Sequence, residues 1–157
     1  MAKQPACTVK IRAGRDHDRR AVAFLDYEQV RYVDVHEAFK GLSVNEKRYF
    51  NTSFDYWIGG MDSKVDRYHG WNKNEFGGRY QECFVFKNPP HRLYGFLCHP
   101  KTPEDGRFLM CVLILHAQKR KWKTDETELK RAETMRTSPE VQSALKQVDW
   151  TSEVEAL

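Results

Sequence analysis

The feature that most constrains the fold is a short apolar run, Leu109 to Leu115. Its sequence, LMCVLIL, contains only apolar residues, most of them aliphatic. A run of this length is typical of a strand buried on both faces, because a helix of ordinary length would need about ten residues or more. We therefore predict that Leu109 to Leu115 is the central strand of a sheet.

A dense group of basic residues follows this run. His116 comes first, and four cations follow it: Lys119, Arg120, Lys121 and Lys123. Trp122 lies among them. Thr124 can then cap a helix whose first turn is acidic, which is the charge that a helix N-terminus favours. The sequence thus predicts a cationic cluster at a strand-to-helix corner, which is suited to binding phosphate.

Two amphipathic helices are indicated between residues 34 and 60. The pairs Asp34 with Glu37 and Ser43 with Glu46 have the spacing of capping boxes, in which side chains satisfy the first backbone N–H groups of a helix. The glycines at 59 and 60 end the second helix. Two helices joined by a tight turn should form a helical hairpin that covers one face of the sheet.

The remaining strand signals lie on both sides of this hairpin. Ala21 to Leu25 is a short apolar run fit for a strand, whereas residues 30–35 fit either a further strand or the start of the first helix. Residues 80–87 and 92–98 form a hairpin about a proline turn, and with Leu109 to Leu115 they make three consecutive antiparallel strands, a meander. Ser138 followed by Pro139 begins a last helix.

A loop is predicted between the second helix and the meander. Residues 61–78 are charged, aromatic and interrupted by glycines, and Tyr68, His69 and Trp71 are the side chains in them that could act in binding. These rings would either stack on exposed RNA bases or fold back onto the core as a lid.

The composition divides the chain into three parts. Residues 1–20 are polar and basic and predict a flexible arm, residues 21–136 a single domain, and residues 137–157 a C-terminal helix with an acidic tail. The net charge of +4 permits a polyanionic partner without requiring one. No apolar segment approaches the roughly 18 residues that span a bilayer, so we expect a cytoplasmic protein. The cysteine and histidine spacings predict no metal site.

Three segments together resemble a known family. HRLYGF at 91–96, MCVLILHA at 110–117 and the following QKRKWKTDETELKRAE are similar to the end of the phage-derived HigB-like branch of the RelE/ParE toxin superfamily. The resemblance implies an α+β, RelE-like fold. That fold has an antiparallel β-sheet, made of a three-strand meander plus an N-terminal strand, with an N-terminal helical hairpin and C-terminal helices.

The resemblance also implies a function. The RelE and HigB branches are toxins that cut messenger RNA, usually on the ribosome, without metal or other cofactor. We therefore expect an mRNA endoribonuclease of prophage type that is neutralised by a small helix-turn-helix antitoxin protein. Its partners would be mRNA and the ribosome, with no membrane, and a homo-oligomeric state is left open.

RNA cleavage of this kind needs cations for the phosphate and groups that move protons. By resemblance, Arg92 takes the place of a functional arginine on the middle strand, and Lys119 or Arg120 that of a basic residue after the last strand. His116 can act as acid or base near neutral pH, and Glu82 as an alternative base. RNA contacts are expected from Arg79, Lys121, Trp122 and Lys123.

Strand geometry predicts that two of these residues meet. Arg92 opens the middle strand and His116 closes the next, and in an antiparallel pair the start of one strand lies beside the end of the other. We therefore expect Arg92 and His116 in one active site, which Lys119 and Arg120 approach from the same edge.

Other interpretations are open at this point. The ParE branch of the same family inhibits DNA gyrase by contact without hydrolysis, so the chain could be a non-enzymatic toxin. It could also be a prophage or host RNA-binding accessory protein without toxicity. In the simplest case the lysines form a solvated turn, and Arg79 pairs with a nearby carboxylate.

Overall fold

The computed structural model describes residues 7–15, 18–61, 66–100, 108–118 and 126–157. Within these residues, a mixed sheet of six strands carries two helices on each face. The strands are β1 (Thr8–Gly14), β2 (Arg20–Asp26), β3 (Tyr68–Gly70), β4 (Cys83–Asn88), β5 (His91–Cys98) and β6 (Leu109–Gln118). The helices are α1 (Val35–Lys40), α2 (Val44–Ile58), α3 (Glu126–Arg136) and α4 (Pro139–Leu145).

The strands lie in the order β1-β2-β6-β5-β4-β3. The predicted meander is confirmed, because β4 pairs antiparallel with β5 and β5 pairs antiparallel with β6. The N-terminal strand β2 pairs with β6 in parallel, so the expectation of a fully antiparallel sheet is wrong at this pair. Helices α1 and α2 and strands β3, β4 and β5 lie between β2 and β6 in the sequence. This long connection makes a parallel pairing of β2 with β6 accessible.

The central position of β6 agrees with its composition. Residues 110–115 are buried, with side chains on both faces of the sheet, as predicted for the apolar run. The α1–α2 face packs Leu113 against aromatic side chains of the two helices, including Phe39 and Phe54. The α3–α4 face packs Val112 against Leu129 and the other apolar residues of α3 and α4.

Two strands were not predicted. The arm expected over residues 1–20 is wrong for Thr8–Gly14, which pairs with β2 as an edge strand and buries Val9 and Ile11 on either side of the exposed Lys10. This alternation of apolar and polar residues is short, and the many charged residues around it make it difficult to recognise in the sequence. Residues 68–70, expected in a loop, form β3 against β4. Residues 1–6 and 16–17 lie outside the described part of the chain.

The helix boundaries are largely as predicted. Ser43 and Glu46 form the capping box of α2, with Ser43 Oγ accepting from the Glu46 amide and Glu46 Oε1 accepting from the Ser43 amide. The capping box predicted at Asp34 is wrong, because its carboxylate accepts from the backbone N–H of His116 instead. Residues 27–34 form turns before α1 rather than a further strand. Helix α4 begins at Pro139 with Ser138 before it.

A β-bulge interrupts the pairing of β5 with β6. Gly95 is the partner of Leu113 and Tyr94 is the partner of Leu115, so Ile114 is one extra residue on β6. Ile114 and Leu115 therefore both pack on the α3–α4 face, and the alternation of side chains is inverted after them. Gly95 permits this close approach, because a Cβ at this position would overlap the carbonyl oxygen of Val112.

The acidic tail expected after α4 forms turns and irregular chain. Trp150 packs its ring edge-on against Phe108, with centroids 5.3 Å apart, and the guanidinium of Arg12 donates to the carbonyl oxygen of Glu155 at 2.7 Å. None of the helices in the described ranges combines the length and the apolar character needed to cross a bilayer.

Candidate functional site

Arg92 lies at the start of β5, with Lys87 of β4 and Ala117 of β6 as its two cross-strand partners. Its side chain is on the α3–α4 face, where Nη1 donates to the hydroxyl oxygen of Tyr94 at 3.3 Å. Only 9% of Arg92 is exposed, so the guanidinium is held by the fold rather than free in solvent. A fixed, largely desolvated cation of this kind is suited to an anionic ligand.

Lys87 completes a pair of neighbouring cations with Arg92. Burial and the charge of Arg92 lower the pKa of the Lys87 ammonium, and the charge of Asp66 acts against this shift. Sequence reasoning missed Lys87. The available signal was the two-proline turn, because a tight hairpin about Pro89 and Pro90 places Lys87 directly opposite Arg92.

His69 of β3 is the third member of this group. It lies beside Val85 of β4, one row from Lys87 on the same face. Burial, followed by the charges of Lys87 and Arg92, lowers the pKa of its imidazole, against a hydrogen bond and Glu75 that raise it. We call the two cations Arg92 and Lys87, together with His69 beside them, the cationic cluster.

The hydrogen bonding of His69 determines its tautomer. Its Nδ1 lies 3.0 Å from the carbonyl oxygen of Gly70, and a carbonyl can only accept, so Nδ1 carries the proton. In the neutral ring, Nε2 therefore has the lone pair. Because its pKa is lowered, His69 is neutral in most molecules at pH 7, and its Nε2 is then available as a base.

The aromatic residues around the cluster belong to the core. Trp71 and Tyr94 are stacked, with ring centroids 6.3 Å apart, and their exposed fractions are 6% and 0%. Tyr68 is buried on the opposite face. Of the two alternatives for the loop aromatics, the structure agrees with rings folded onto the core, which leaves His69 as the half-exposed ring.

His116 does not join this cluster. It is the partner of Leu93, and its ring is on the α1–α2 face, where Nε2 lies 2.9 Å from Nδ1 of His91. The expectation that Arg92 and His116 share one site is therefore wrong. The reason is the bulge at Ile114, since an uninterrupted alternation would have placed His116 on the face of Arg92.

Two further predicted residues are at the other end of β4. Glu82 is exposed and precedes the strand, about 17 Å from Lys87 at the usual rise per residue. Arg79 pairs with Glu126 at 3.4 Å between Nη2 and Oε2 and donates from Nε to the carbonyl oxygen of Phe76. The structure therefore agrees with the alternative in which Arg79 pairs with a nearby carboxylate.

The basic run predicted after the last strand lies outside the described residues, from Lys119 through Arg120, Lys121 and Trp122 to Lys123. Gln118, the last residue of β6, pairs with His91, directly beside Arg92 in β5. The described part of β6 therefore ends at the same edge of the sheet as the cationic cluster.

Both perturbed histidines should make the protein sensitive to mild acid. Burial, followed by the charge of His91, lowers the pKa of His116, and that of His69 is lowered as described above. The unfolded chain, with histidine pKa values near 6.5, then binds more protons than the folded protein. The free energy of unfolding should be fully present above about pH 6.5 and should fall as the pH is lowered through the folded pKa values.

Urea unfolding at pH 7.5, 6.5 and 5.5 would measure this dependence. His69→Gln and His116→Gln should each make the free energy of unfolding less dependent on pH in this window. A stability that is unchanged between pH 7.5 and 5.5 in the parent protein would contradict the assignment of two neutral histidines.

Comparisons of the chain with protein-family models, with curated proteins and with solved structures find no match in any of the three. In the described part of the chain, no three His, Cys, Asp or Glu side chains are arranged to hold a metal ion. The function is therefore inferred from the geometry and electrostatics of the cationic cluster.

Proposed function

We propose that this protein is a RelE-like endoribonuclease that cleaves messenger RNA without metal and acts as the toxin of a toxin-antitoxin pair. The observation that carries the proposal is the cationic cluster. It combines a buried arginine, a lysine with a lowered pKa and a neutral histidine with a defined tautomer on one face of the sheet. These are the groups that cleavage of RNA by its own 2′-hydroxyl requires.

His69 is the general base in this proposal. Its Nε2 takes the proton from the ribose 2′-hydroxyl, and the 2′-oxygen forms a bond to the adjacent phosphorus while the bond from phosphorus to the 5′-oxygen breaks. The products are a 2′,3′-cyclic phosphate and a free 5′-hydroxyl. The RNA supplies the nucleophile, so the protein needs only to position the phosphate and move the protons.

Arg92 and Lys87 act on the phosphate. Arg92 is oriented by Tyr94 and stabilises the negative charge that develops on the phosphoryl oxygens. Lys87 is a stronger acid than an ordinary lysine, because burial and Arg92 lower its pKa, and it donates a proton to the leaving 5′-oxygen. The proton held by His69 then returns to Lys87 through solvent, and the cycle is complete.

The basic run after β6 supplies the remaining RNA contacts in this proposal. Lys119, Arg120, Lys121 and Lys123 bind phosphates on either side of the cleaved bond, and Trp122 stacks on a base. The ribosome presents the messenger, and an antitoxin protein covers the cluster and neutralises it.

The test is cleavage of a defined RNA by the purified protein, with and without purified ribosomes, in the presence of EDTA. We expect cuts that persist in EDTA, with a 2′,3′-cyclic phosphate on the upstream fragment, and growth arrest when the protein is induced in bacteria. The cyclic phosphate is identified by its resistance to periodate and its opening by acid.

The other outcomes separate the alternatives. Growth arrest with intact RNA and relaxed plasmid DNA would favour a gyrase inhibitor. Binding of RNA without cleavage and without growth arrest would favour an accessory protein. Cleavage that EDTA abolishes would contradict the proposed mechanism.

A further inference from the structure

A hydrogen-bonded chain of three side chains lies on the reverse side of the sheet from the cationic cluster. Glu46 Oε2 is 2.7 Å from Nε2 of His91, and Nδ1 of His91 is 2.9 Å from Nε2 of His116. The three residues belong to α2, β5 and β6, so the chain joins the helical hairpin to the ends of two strands. The two rings are tilted at 34° with centroids 5.1 Å apart.

The direction of these hydrogen bonds follows from chemistry. Hydrogen bonds from Ser43 and His91 lower the pKa of Glu46, so its carboxylate is ionised at neutral pH and can only accept. His91 therefore donates from Nε2, and in a neutral ring its Nδ1 must accept. His116 then donates from Nε2 and has its lone pair on Nδ1. Each proton position is determined by the one before it.

Asp34 extends the same connection to α1. Strand β2 pairs with β6 only as far as Leu113, so in the described part of the chain the later residues of β6 have no strand on that side. The carboxylate of Asp34 accepts from the backbone N–H of His116 at 2.9 Å and takes the place of the missing partner. The charged groups that face the two histidines are therefore Asp34 before α1 and Glu46 on α2.

The three hydrogen-bonded side chains lie on the opposite face of the sheet from the cationic cluster, at the same strand ends. His91 and Arg92 are consecutive in β5 and project to opposite faces, and His116 precedes Ala117, the cross-strand partner of Arg92. The two rings and Arg92 are therefore carried by the same paired ends of β5 and β6.

We propose that Glu46, His91 and His116 form a positioning relay that accepts one proton and holds the ends of β5 and β6 in the geometry that Arg92 needs. This inference rests on the proposed function for its catalytic consequence only. We call the three residues the histidine relay.

The hydrogen-bonding capacity of the two rings explains why the relay accepts only one proton. With one added proton, one ring becomes an imidazolium and both hydrogen bonds remain, because the other ring still offers a lone pair. With two added protons, Nδ1–H of His91 faces Nε2–H of His116 and the bond between the rings breaks. The relay therefore keeps both hydrogen bonds with one added proton and loses the bond between the rings when the second proton binds.

Glu46→Gln tests the hydrogen bonds of the relay separately from its packing, because the two side chains have nearly the same shape. The Ser43 amide must still donate to the side-chain oxygen at position 46, so the new amide NH2 faces His91. His91 Nε2 must then accept, and its Nδ1 donates to Nε2 of His116. Nitrogen-15 NMR of the histidine rings at pH 8 should show protons on Nε2 of both rings in the parent protein and on Nδ1 of both rings in the variant.

The positioning role is measured at Arg92. In a His69→Gln background, which removes the titrating ring on the face of Arg92, the Arg92 Nε–H resonance should shift as the pH is lowered from 8, in parallel with the change in the His116 ring signals that reports loss of the bond between the rings. His116→Gln should abolish that component of the shift. This measurement requires no RNA and no catalytic activity.

Cleavage assays give the third measurement. Glu46→Gln should lower kcat about tenfold or more with little change in KM, as expected when a catalytic group is slightly misplaced. Asp55→Asn is the matched control, since Asp55 is an exposed acid on the same helix and its replacement should leave kcat unchanged.

The outcomes distinguish this inference from the proposed function. Unreversed ring protons, or an Arg92 resonance that ignores the relay titration, would overturn the relay whether or not the protein cleaves RNA. Reversed protons and a responding Arg92 resonance in a protein without cleavage activity would support the relay and reject the endoribonuclease.

Discussion

Replacing Arg92 by alanine is expected to reduce kcat for RNA cleavage about a hundredfold or more while the domain remains folded. Removal of one preorganised donor to a developing oxyanion typically costs about 10² to 10³ in rate. The loss should exceed that of Arg92→Lys, which retains a charge but not the planar, oriented guanidinium that Tyr94 holds. Single-turnover cleavage of a defined RNA, with circular dichroism to verify folding, measures the effect.

Arg79→Ala is the matched control for this prediction. Arg79 is an arginine at the opposite end of β4, and its side chain is 63% exposed and paired with Glu126. Its removal should leave kcat unchanged. A folded variant with both Arg92→Ala and His69→Gln that cleaves RNA at the parent rate would reject the cationic cluster as the active site.

Replacing Leu113 by aspartate is expected to unfold the domain. Leu113 has no exposed surface and packs on the α1–α2 face among the phenylalanine rings of the helical hairpin. An aspartate there would be buried without a charged partner, at a cost of several kcal/mol, whereas a domain of this size has about 5–15 kcal/mol of stability in total. Thermal and urea unfolding followed by circular dichroism would measure the loss.

Val44→Asp is the control for charge introduction. Val44 is 69% exposed at the first position of α2, where a negative charge is favoured by the helix dipole. Its stability should equal or slightly exceed that of the parent protein. A Leu113→Asp protein that melts at the parent temperature would contradict the placement of β6 at the centre of the sheet.

The main elements of the fold follow from strong local signals. The apolar run of β6 specifies a buried strand, the Ser43–Glu46 capping box specifies the start of α2, and the prolines at 89 and 90 specify the turn of the meander. Each of these signals is complete within a few residues. They could therefore be recognised without knowing what packs against them.

The missed strands depend on their partners instead. Strand β1 has only two buried positions, Val9 and Ile11, with Lys10 between them, and β3 has three residues in all. Both are edge strands that are held by β2 and β4, respectively. A short alternation of this kind becomes recognisable as a strand only when the neighbouring strand is known.

The candidate site was predicted in part. The sequence indicates Arg92 but not its neighbours Lys87 and His69, because their proximity arises from pairing across three strands. The sequence predicts the wrong face for His116, since the bulge at Ile114 depends on a contact between Gly95 and β6 that no local pattern encodes. The histidine relay was missed for the same reason.

The bulge gives β6 a property that an uninterrupted strand lacks. Ile114 shifts the alternation of side chains along β6 by one residue. Before it, odd-numbered residues lie on the α1–α2 face, and after it they lie on the α3–α4 face. Deletion of this single residue, with no substitution at all, would exchange the faces of His116 and Ala117 and bring the imidazole to the side of Arg92. The chemistry on each side of the sheet is therefore set by the number of residues in β6 as much as by their identity, and insertions and deletions at this strand offer a route to a changed active site that point mutations do not.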